Sequence, residues 1–392
     1  MKKSFKYCIY PTKSQIATLE NQFSMCRHLY NWALAERKDV YEKSGKSILY
    51  NTQQNQLPAL KKIRPWYKSV YSQVLQDVLK RLDKAYQNFF RRVKQLSCKK
   101  GGTPGFPRFK KRGQWYSITY PQYSAFPSTE INVPMVGTVK TVCHREIPKE
   151  AKIKTMTITK EGSKWFACFS IELSLEFELK QDLQNSIGID LGLNDFLYAS
   201  DGSHVSSPKY LRRSMDKFAC LQRRFSKTKK RYLKWYKLLR AIQNCHYKIR
   251  CQRNDFLHKT ANDLLKNADI ICHEKLNIHN MSRRPKPIQD KTGKFLPNRA
   301  SIKAGLNKSI NDAGWYKFLL YLKYKAFEQG KQVIAVRPHY TSQKCSACGE
   351  IVKKTLSVRT HSCSCGFVAN RDYNAAINIL RVGLDTLAAS AA

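Results

Sequence analysis

Four cysteines confined to 21 residues, Cys345, Cys348, Cys363 and Cys365, constrain this chain more tightly than any other feature of its sequence. Cys345 and Cys348 enclose two residues, fourteen residues follow, and Cys363 and Cys365 enclose one. Each pair lies beside a glycine that permits a tight turn. Two short turns that deliver four soft thiolates to one point suit a single structural, tetrahedral Zn²⁺, as in a zinc ribbon. The second pair is one residue short of the usual gap, which leaves His361 as an alternative to one thiolate. A redox role for the first pair is the competing reading. The other nine of the thirteen cysteines are scattered singly. With an odd total and no export signal, they read as reduced, packed thiols.

Charge constrains the partner. The 392 residues include 71 Lys and Arg against 28 Asp and Glu, a net charge of +43. A hydrophobic share of 42% excludes a disordered basic tail. A folded chain so lopsided repels itself unless a polyanion neutralises it, which points first to nucleic acid. No apolar run of about 18 residues exists, and MKKSFKYCIYPTK breaks to charge and proline before a signal-peptide core forms. A cytoplasmic, nucleoid-associated protein with no membrane partner is expected.

The length predicts about two to three domains. Ser4–Tyr10 alternates apolar and polar residues and ends at Pro11, a strand. Helical spacing then runs through Leu19, Phe23, Cys26, Leu29, Tyr30, Ala33 and Leu34, and again from Tyr71 to Phe90. Lys99–Gly113 is a Gly-, Pro- and cation-rich loop that includes Lys110 and Arg112. Short β-like runs follow at Gln114–Tyr120, Glu130–Val133, Val136–Cys143, Ile153–Thr159 and Trp165–Leu173. They predict a small β-barrel, completed by the first strand and interrupted by the helical block.

From Ser186 the pattern changes to strands Ile187–Leu191 and Asp195–Ala199, then a long tract of basic helices, Pro208–Asn267. Its cations include Arg212, Arg213, Arg223, Arg224, Lys229, Lys230, Arg231, Arg250 and Arg253. A solvated face normally mixes signs, so these read as contacts to a nucleic-acid backbone. Strand Ala268–Glu274, a loop over Met281–Asn298, helix Ile302–Gln329, strand Val333–Val336 and helix Asp372–Val382 complete an αβ alternation, with LAASAA as a frayed tail. Tyr67 beside Lys68, and Trp115 with Tyr116 after Lys110–Arg112, are candidates to stack bases or to fill a core.

Three acids stand apart: Asp190 in IGIDLG, Glu274 in ICHEKL and Asp372 in NRDYNAA, each at a strand end or helix start. A ribonuclease H-like fold gathers such positions so that carboxylates hold two Mg²⁺ ions about 4 Å apart across a phosphodiester. Hard cations take oxygen ligands, which suits Asp and Glu.

The segments CRHLYNWAL at 26–34, QDVLKRLDKAYQNFFRR at 76–92, GIDLGLNDF at 188–196, AGLNKSINDAGW at 304–315, TSQKCSACG at 341–349 and RDYNAAINI at 371–379 strongly resemble TnpB. That is the family of transposon-encoded RNA-guided DNA nucleases related to type V CRISPR effectors. The resemblance implies a multidomain α+β chain: a wedge β-barrel (1–12 and 114–185), an inserted helical recognition domain (13–113), a RuvC-like nuclease domain of RNase H-like fold (186–340 and 371–392) and an inserted zinc-bearing domain (341–370). It implies that Asp190, Glu274 and Asp372 are catalytic. It further implies a guide RNA from the transposon end, double- and single-stranded target DNA, and a short flanking motif, for which Lys13, Ser14 and Asn21 are candidates. A monomer is favoured. Two departures from the family's pattern are the short second cysteine pair and Asn370, which stands where the family often has an acid. Relatives that lost catalytic acids act as RNA-guided repressors, and a strand-transferring transposase would use the same acids. All three acids are present here, which favours the nuclease.

Overall fold

A computed structural model describes residues 2–97, 104–173, 183–355 and 357–391. Residues 99–103 of the predicted basic loop, and 174–182 at the end of the predicted second barrel segment, lie outside the described residues. The chain divides into two compact units, Met1–Glu176 and Phe177–Ala392.

The first unit begins with β1 (Lys2–Tyr10) and α1 (Lys13–Ser44). Thr12 caps α1 in a reciprocal arrangement with Gln15, and the predicted stripe from Leu19 to Leu34 is buried. Within the predicted helical block two short helices follow, α2 (Tyr50–Asn55) and α3 (Leu57–Ile63), before α4 (Ser72–Ser97). Pro58 and Pro65 cut this stretch below the length at which periodicity can be read. The strands are β2 (Ser117–Tyr120), β3 (Glu130–Val133), β4 (Gly137–Val142), β5 (Lys152–Glu161) and β6 (Lys164–Glu172). They pair antiparallel in the order β2-β5-β6-β1-β4-β3. The sequence-predicted barrel is thus an open sheet: among the described residues its four-residue edge strands β2 and β3 do not pair with each other.

The second unit opens with the meander β7 (Ser186–Leu191), β8 (Asp195–Ala199) and β9 (His204–Ser206). The long basic tract consists of two helices, α5 (Tyr210–Lys227) and α6 (Leu233–Asn267). They fold back so that Phe225 meets Trp235 at 5.0 Å and Phe218 meets His246 at 4.5 Å. A continuous helix would leave that apolar seam in water, and the turn carries Lys229, Lys230 and Arg231, the last at φ 70. Next come β10 (Ile270–Glu274) and α7 (Ile278–Met281). The expected loop after Met281 contains a two-stranded ribbon, β11 (Ile288–Gln289) with β12 (Phe295–Leu296). The helix predicted over 302–329 is also two, α8 (Ala300–Ala313) and α9 (Trp315–Glu328), because Gly314 turns left-handed at φ 72 between them. The chain ends with β13 (Gln332–Val336), the ribbon β14 (Thr360–Ser362) and β15 (Val368–Asn370), and α10 (Arg371–Ala391). The tail predicted to fray is therefore helical through Ala391.

The sheet of this unit has the order β13-β10-β7-β8-β9. Strands β7, β10 and β13 are mutually parallel, and β8 and β9 complete an antiparallel meander. One face packs Ile187, Ile189, Leu191 and Ile271 against Leu257, Leu264, Phe318 and Leu322 of α6 and α9. The other packs Ile270, Cys272 and Val336 against Ile379 of α10. Alternation along β10 sends successive apolar residues to opposite helical layers.

Candidate active site and metal centre

Parallel pairing places Ile189 opposite His273, so the next residues, Asp190 and Glu274, lie side by side near the C-terminal ends of neighbouring strands, at the same end of the sheet. Asp372 arrives from the first turn of α10. That helix lies directly on β7: a Cβ built at Gly188 would fall 2.2 Å from the Ala376 carbonyl oxygen and 2.7 Å from the Leu380 nitrogen. Only glycine allows this approach.

Burial first, then the negative charges of Glu274 and Asp372, together push the Asp190 carboxyl up to about 7 against the opposing charge of Arg371. Burial also raises Glu274, against a hydrogen bond in which Thr341 Oγ1 donates to Glu274 Oε1 at 2.5 Å. Asp372 lies 3.7 Å from Arg359 and 3.9 Å from Arg371. The three acids therefore share one electrostatic environment, in which the negative charge exceeds what the nearby arginines offset at Asp190. Such a cluster of hard oxygen donors fits divalent cations such as Mg²⁺. The carboxylates are set more widely than a compact single-ion cage, because among the described residues the cysteines alone gather three or more donor atoms within 4.8 Å of one another.

That cysteine group is the four predicted residues. Cys345 Sγ lies 3.8 Å from Cys365 Sγ, and Cys348 Sγ 3.5 Å from Cys363 Sγ. Zinc–sulfur bonds of about 2.3 Å give a tetrahedral edge of about 3.8 Å, so the donor set fits Zn²⁺. The two knuckles are built alike. Cys345 N donates to Glu350 O at 2.8 Å and Gly349 N to Cys345 O at 2.9 Å. In the second, Cys363 N donates to Phe367 O and Gly366 N to Cys363 O, both at 3.0 Å. The missing residue is absorbed by a turn one residue tighter. His361 is buried outside this set, its Nδ1 paired with Lys354.

Three family models match the chain: "Probable transposase" over residues 170–284, "Cas12f1-like, TNB domain" over 315–379, and "Helix-turn-helix domain" over 1–46. "TnpB-like protein L79" of Acanthamoeba polyphaga mimivirus is 24% identical over 97% of this chain and 73% of that protein. The "Putative RNA-guided DNA endonuclease InsQ" of Escherichia coli (strain K12) is 33% identical over 98% of this chain and 93% of that protein. The chain belongs to the TnpB family. A "Putative RNA-guided DNA endonuclease" of Streptomyces pristinaespiralis is 29% identical over 98% of this TnpB chain and 90% of its own length. In this TnpB chain, the span matched as helix-turn-helix holds β1 and the whole of the 32-residue α1 with its C-terminal cap Gly45.

The predicted cations fall into two groups. Arg212, Arg213, Arg223 and Arg224 are exposed on α5, Lys229, Lys230 and Arg231 on the turn after it, and Arg250 on α6. Arg253 is engaged internally: it pairs with Asp312 at 2.5 Å, and Asp312 also accepts the Leu211 backbone N–H at 3.1 Å. Arg212 is tied to Ser309 Oγ at 2.8 Å. Arg212, Arg253, Ser309 and Asp312 line a cavity of about 300 Å³, in which Arg253 is neutralised by Asp312. In the first unit Arg112 is exposed, whereas Lys110 is half-buried, its backbone held by Asn31 and its Nζ over the Tyr30 ring. Tyr67 and Trp115 are core residues, and Tyr67 meets His28 Nδ1 at 2.7 Å, so of the candidate stacking aromatics only Tyr116 is exposed. Lys13, Ser14 and Asn21 are exposed on α1. His258 stacks on Tyr321 at 3.9 Å.

Sequence reasoning missed Thr341, Asn374 and Asn378, although all three lie in segments that carried the resemblance. A pair of asparagines four apart on an otherwise apolar helix face was the available signal.

Proposed function

We propose that this protein is a transposon-encoded, RNA-guided DNA endonuclease, in which Asp190, Glu274 and Asp372 hold two Mg²⁺ ions in a RuvC-like domain of RNase H-like fold. The observation that carries the reading is the convergence of these three acids, from adjacent parallel strands and the helix laid over them, at one end of the sheet. A meander followed by two parallel strands, with helices on both faces, supports the fold assignment. The curated relatives named for RNA-guided cleavage, matched nearly end to end, support the activity.

When bound, the cations would supply Lewis acidity at the scissile phosphodiester. The protein's own part is to hold the carboxylates. Burial and mutual repulsion keep the metal-free acids poorly satisfied, which favours cation entry, while Thr341 fixes Glu274 and Arg359 and Arg371 flank Asp372. The exposed cations of α5 and the turn after it would bind the phosphate backbone of guide RNA and target DNA without reading sequence, and pairing with the guide would select the target. The cysteine knuckles would hold one structural Zn²⁺ in a zinc-ribbon-like, target-nucleic-acid-binding segment. The domain limits given above, the short flanking motif, a monomeric state and a place in the cytoplasm at the nucleoid belong to the same proposal. Among the described residues no helix is long and apolar enough to cross a membrane.

The test is plasmid cleavage. The protein is co-expressed with its flanking transposon DNA, purified with its retained RNA and given Mg²⁺ and a library with a randomised flank. Guide-dependent cutting beside one enriched motif, abolished in Asp190→Ala with RNA binding intact, is the expected result. Guide-dependent binding without cutting would establish a repressor instead, and joined strands would establish a transposase.

A further inference from the structure

Buried hydrogen bonds join the cysteine knuckle to the carboxylates. On α10, Asn374 accepts the Ser346 backbone N–H at 2.9 Å and donates to Lys344 O at 2.8 Å. Asn378 donates to Thr341 O at 2.9 Å and Lys344 O at 2.7 Å, and Arg381 donates to Ser346 O at 3.0 Å. Both asparagines are buried. Spacings of four and three place these side chains on one face of the helix whose first turn carries Asp372. At the other end of the same segment, Thr341 Oγ1 donates to Glu274 Oε1. The stretch from Thr341 to Ser346 is therefore clamped to α10, tied to Glu274, and includes Cys345.

We propose that Thr341 is a positioning residue for Glu274, and that the knuckle, clamped on α10 through Asn374 and Asn378, sets the divalent-cation affinity of the carboxylates. The inference rests on the reading of Asp190, Glu274 and Asp372 as the cation site and of the four cysteines as zinc ligands. A donor on one carboxylate oxygen restricts its rotation, and removing such a partner typically costs about 10- to 100-fold in metal affinity. Buried asparagine side chains that each meet two backbone groups fix the loop more firmly than packing alone, because breaking them strands polar groups without water.

The experiment titrates Mn²⁺ into the full-length protein, with zinc content and guide-RNA affinity measured alongside. Thr341→Val is expected to weaken Mn²⁺ binding about tenfold or more, with zinc content and RNA affinity unchanged, and Thr341→Ser to restore it. Asn378→Leu removes the clamp but no thiol, and is expected to weaken Mn²⁺ with zinc retained. Stripping zinc from the wild type should weaken Mn²⁺ in the same direction, and stripping it from Thr341→Val should add little. Wild-type Mn²⁺ affinity in Thr341→Val or in Asn378→Leu overturns the proposal, as do zinc-stripping and Thr341→Val effects that simply multiply. If Asp190→Ala binds Mn²⁺ as tightly as the wild type, the cation-site reading itself falls and takes this inference with it. Purified protein without zinc sinks the role of the knuckle, while the Thr341 variants still decide the role of that hydroxyl.

Discussion

The side chain of Asn370 accepts the backbone N–H of Asp372 at 2.8 Å, so the residue two positions before the last acid caps the helix that carries it. An asparagine in place of the acid often found there in the family is a sound substitute, because Asn and Asp rank together as helix caps. Asn370→Ala is expected to lower stability by about 1 kcal/mol, and Asn370→Asp to change it by less than about 0.5 kcal/mol. Urea denaturation followed by circular dichroism checks both. Equal losses in the two variants would show that the cap does not hold α10.

Helix α10 leaves no room on β7. Gly188→Ala puts a methyl group against the backbone of Ala376 and Leu380, which cannot turn aside as a side chain would. Overpacking of this kind costs about 1–3 kcal/mol, and the displaced helix carries Asp372 away from Asp190. The variant should therefore lose both stability and Mn²⁺ affinity. A stable Gly188→Ala that binds Mn²⁺ normally would mean the helix can shift without moving the acid.

Strand-end acids drew attention to Asp190 and Glu274 in a chain this basic, but the resemblance to TnpB singled them out, and parallel pairing then makes such strand ends neighbours. The four thiols were legible from spacing alone. The break between α5 and α6 was not, since an apolar stripe that packs against its own continuation has the same period as one that runs straight on. The two-residue strands of the β11–β12 ribbon fall below any window in which alternation can be seen. Thr341 was invisible for another reason: a hydroxyl in a loop has no periodicity, and its role exists only once β13 and the segment after it return to the end of β10.

Without a divalent cation, the raised Asp190 carboxyl makes stability depend on pH. The unfolded acid gives up its proton near the ordinary aspartate value of 3.8, whereas the folded one keeps it up to about 7. Between those values the folded state binds more protons, so stability falls as pH rises and levels off above about 7. The full decline from this one group is on the order of 4 kcal/mol. Glu274, also raised by burial, acts in the same direction. Denaturation midpoints in EDTA from pH 4 to 8 should show the fall, and Asp190→Asn should remove most of it. An unchanged slope in that variant would place the responsible proton elsewhere.

The tetrahedral fit of the four sulfurs predicts about one zinc per chain, read by inductively coupled plasma mass spectrometry. Cys345→Ser should release it and make the 341–370 segment sensitive to limited proteolysis, while Cys143→Ser, in the other unit, should keep it. Equal zinc content in the two variants would separate the metal from the knuckle.

The cations of α5 and its following turn are exposed and far outnumber the one acid there, Asp216, so their energetic signature should be counterion release. For a single-stranded guide RNA, each neutralised phosphate contributes about −0.7 to the slope of log K against log salt. Arg223 and Arg224 are neighbours on an exposed part of α5 and take no part in the Arg253–Asp312 pair. The double variant Arg223→Ala, Arg224→Ala should weaken guide binding and flatten that slope by about 1.4, with Mn²⁺ affinity and the unfolding midpoint unchanged. A loss of affinity at constant slope would mean that these arginines act through the packing of the α5–α6 hairpin, and a wild-type slope with wild-type affinity would move the RNA backbone to another face.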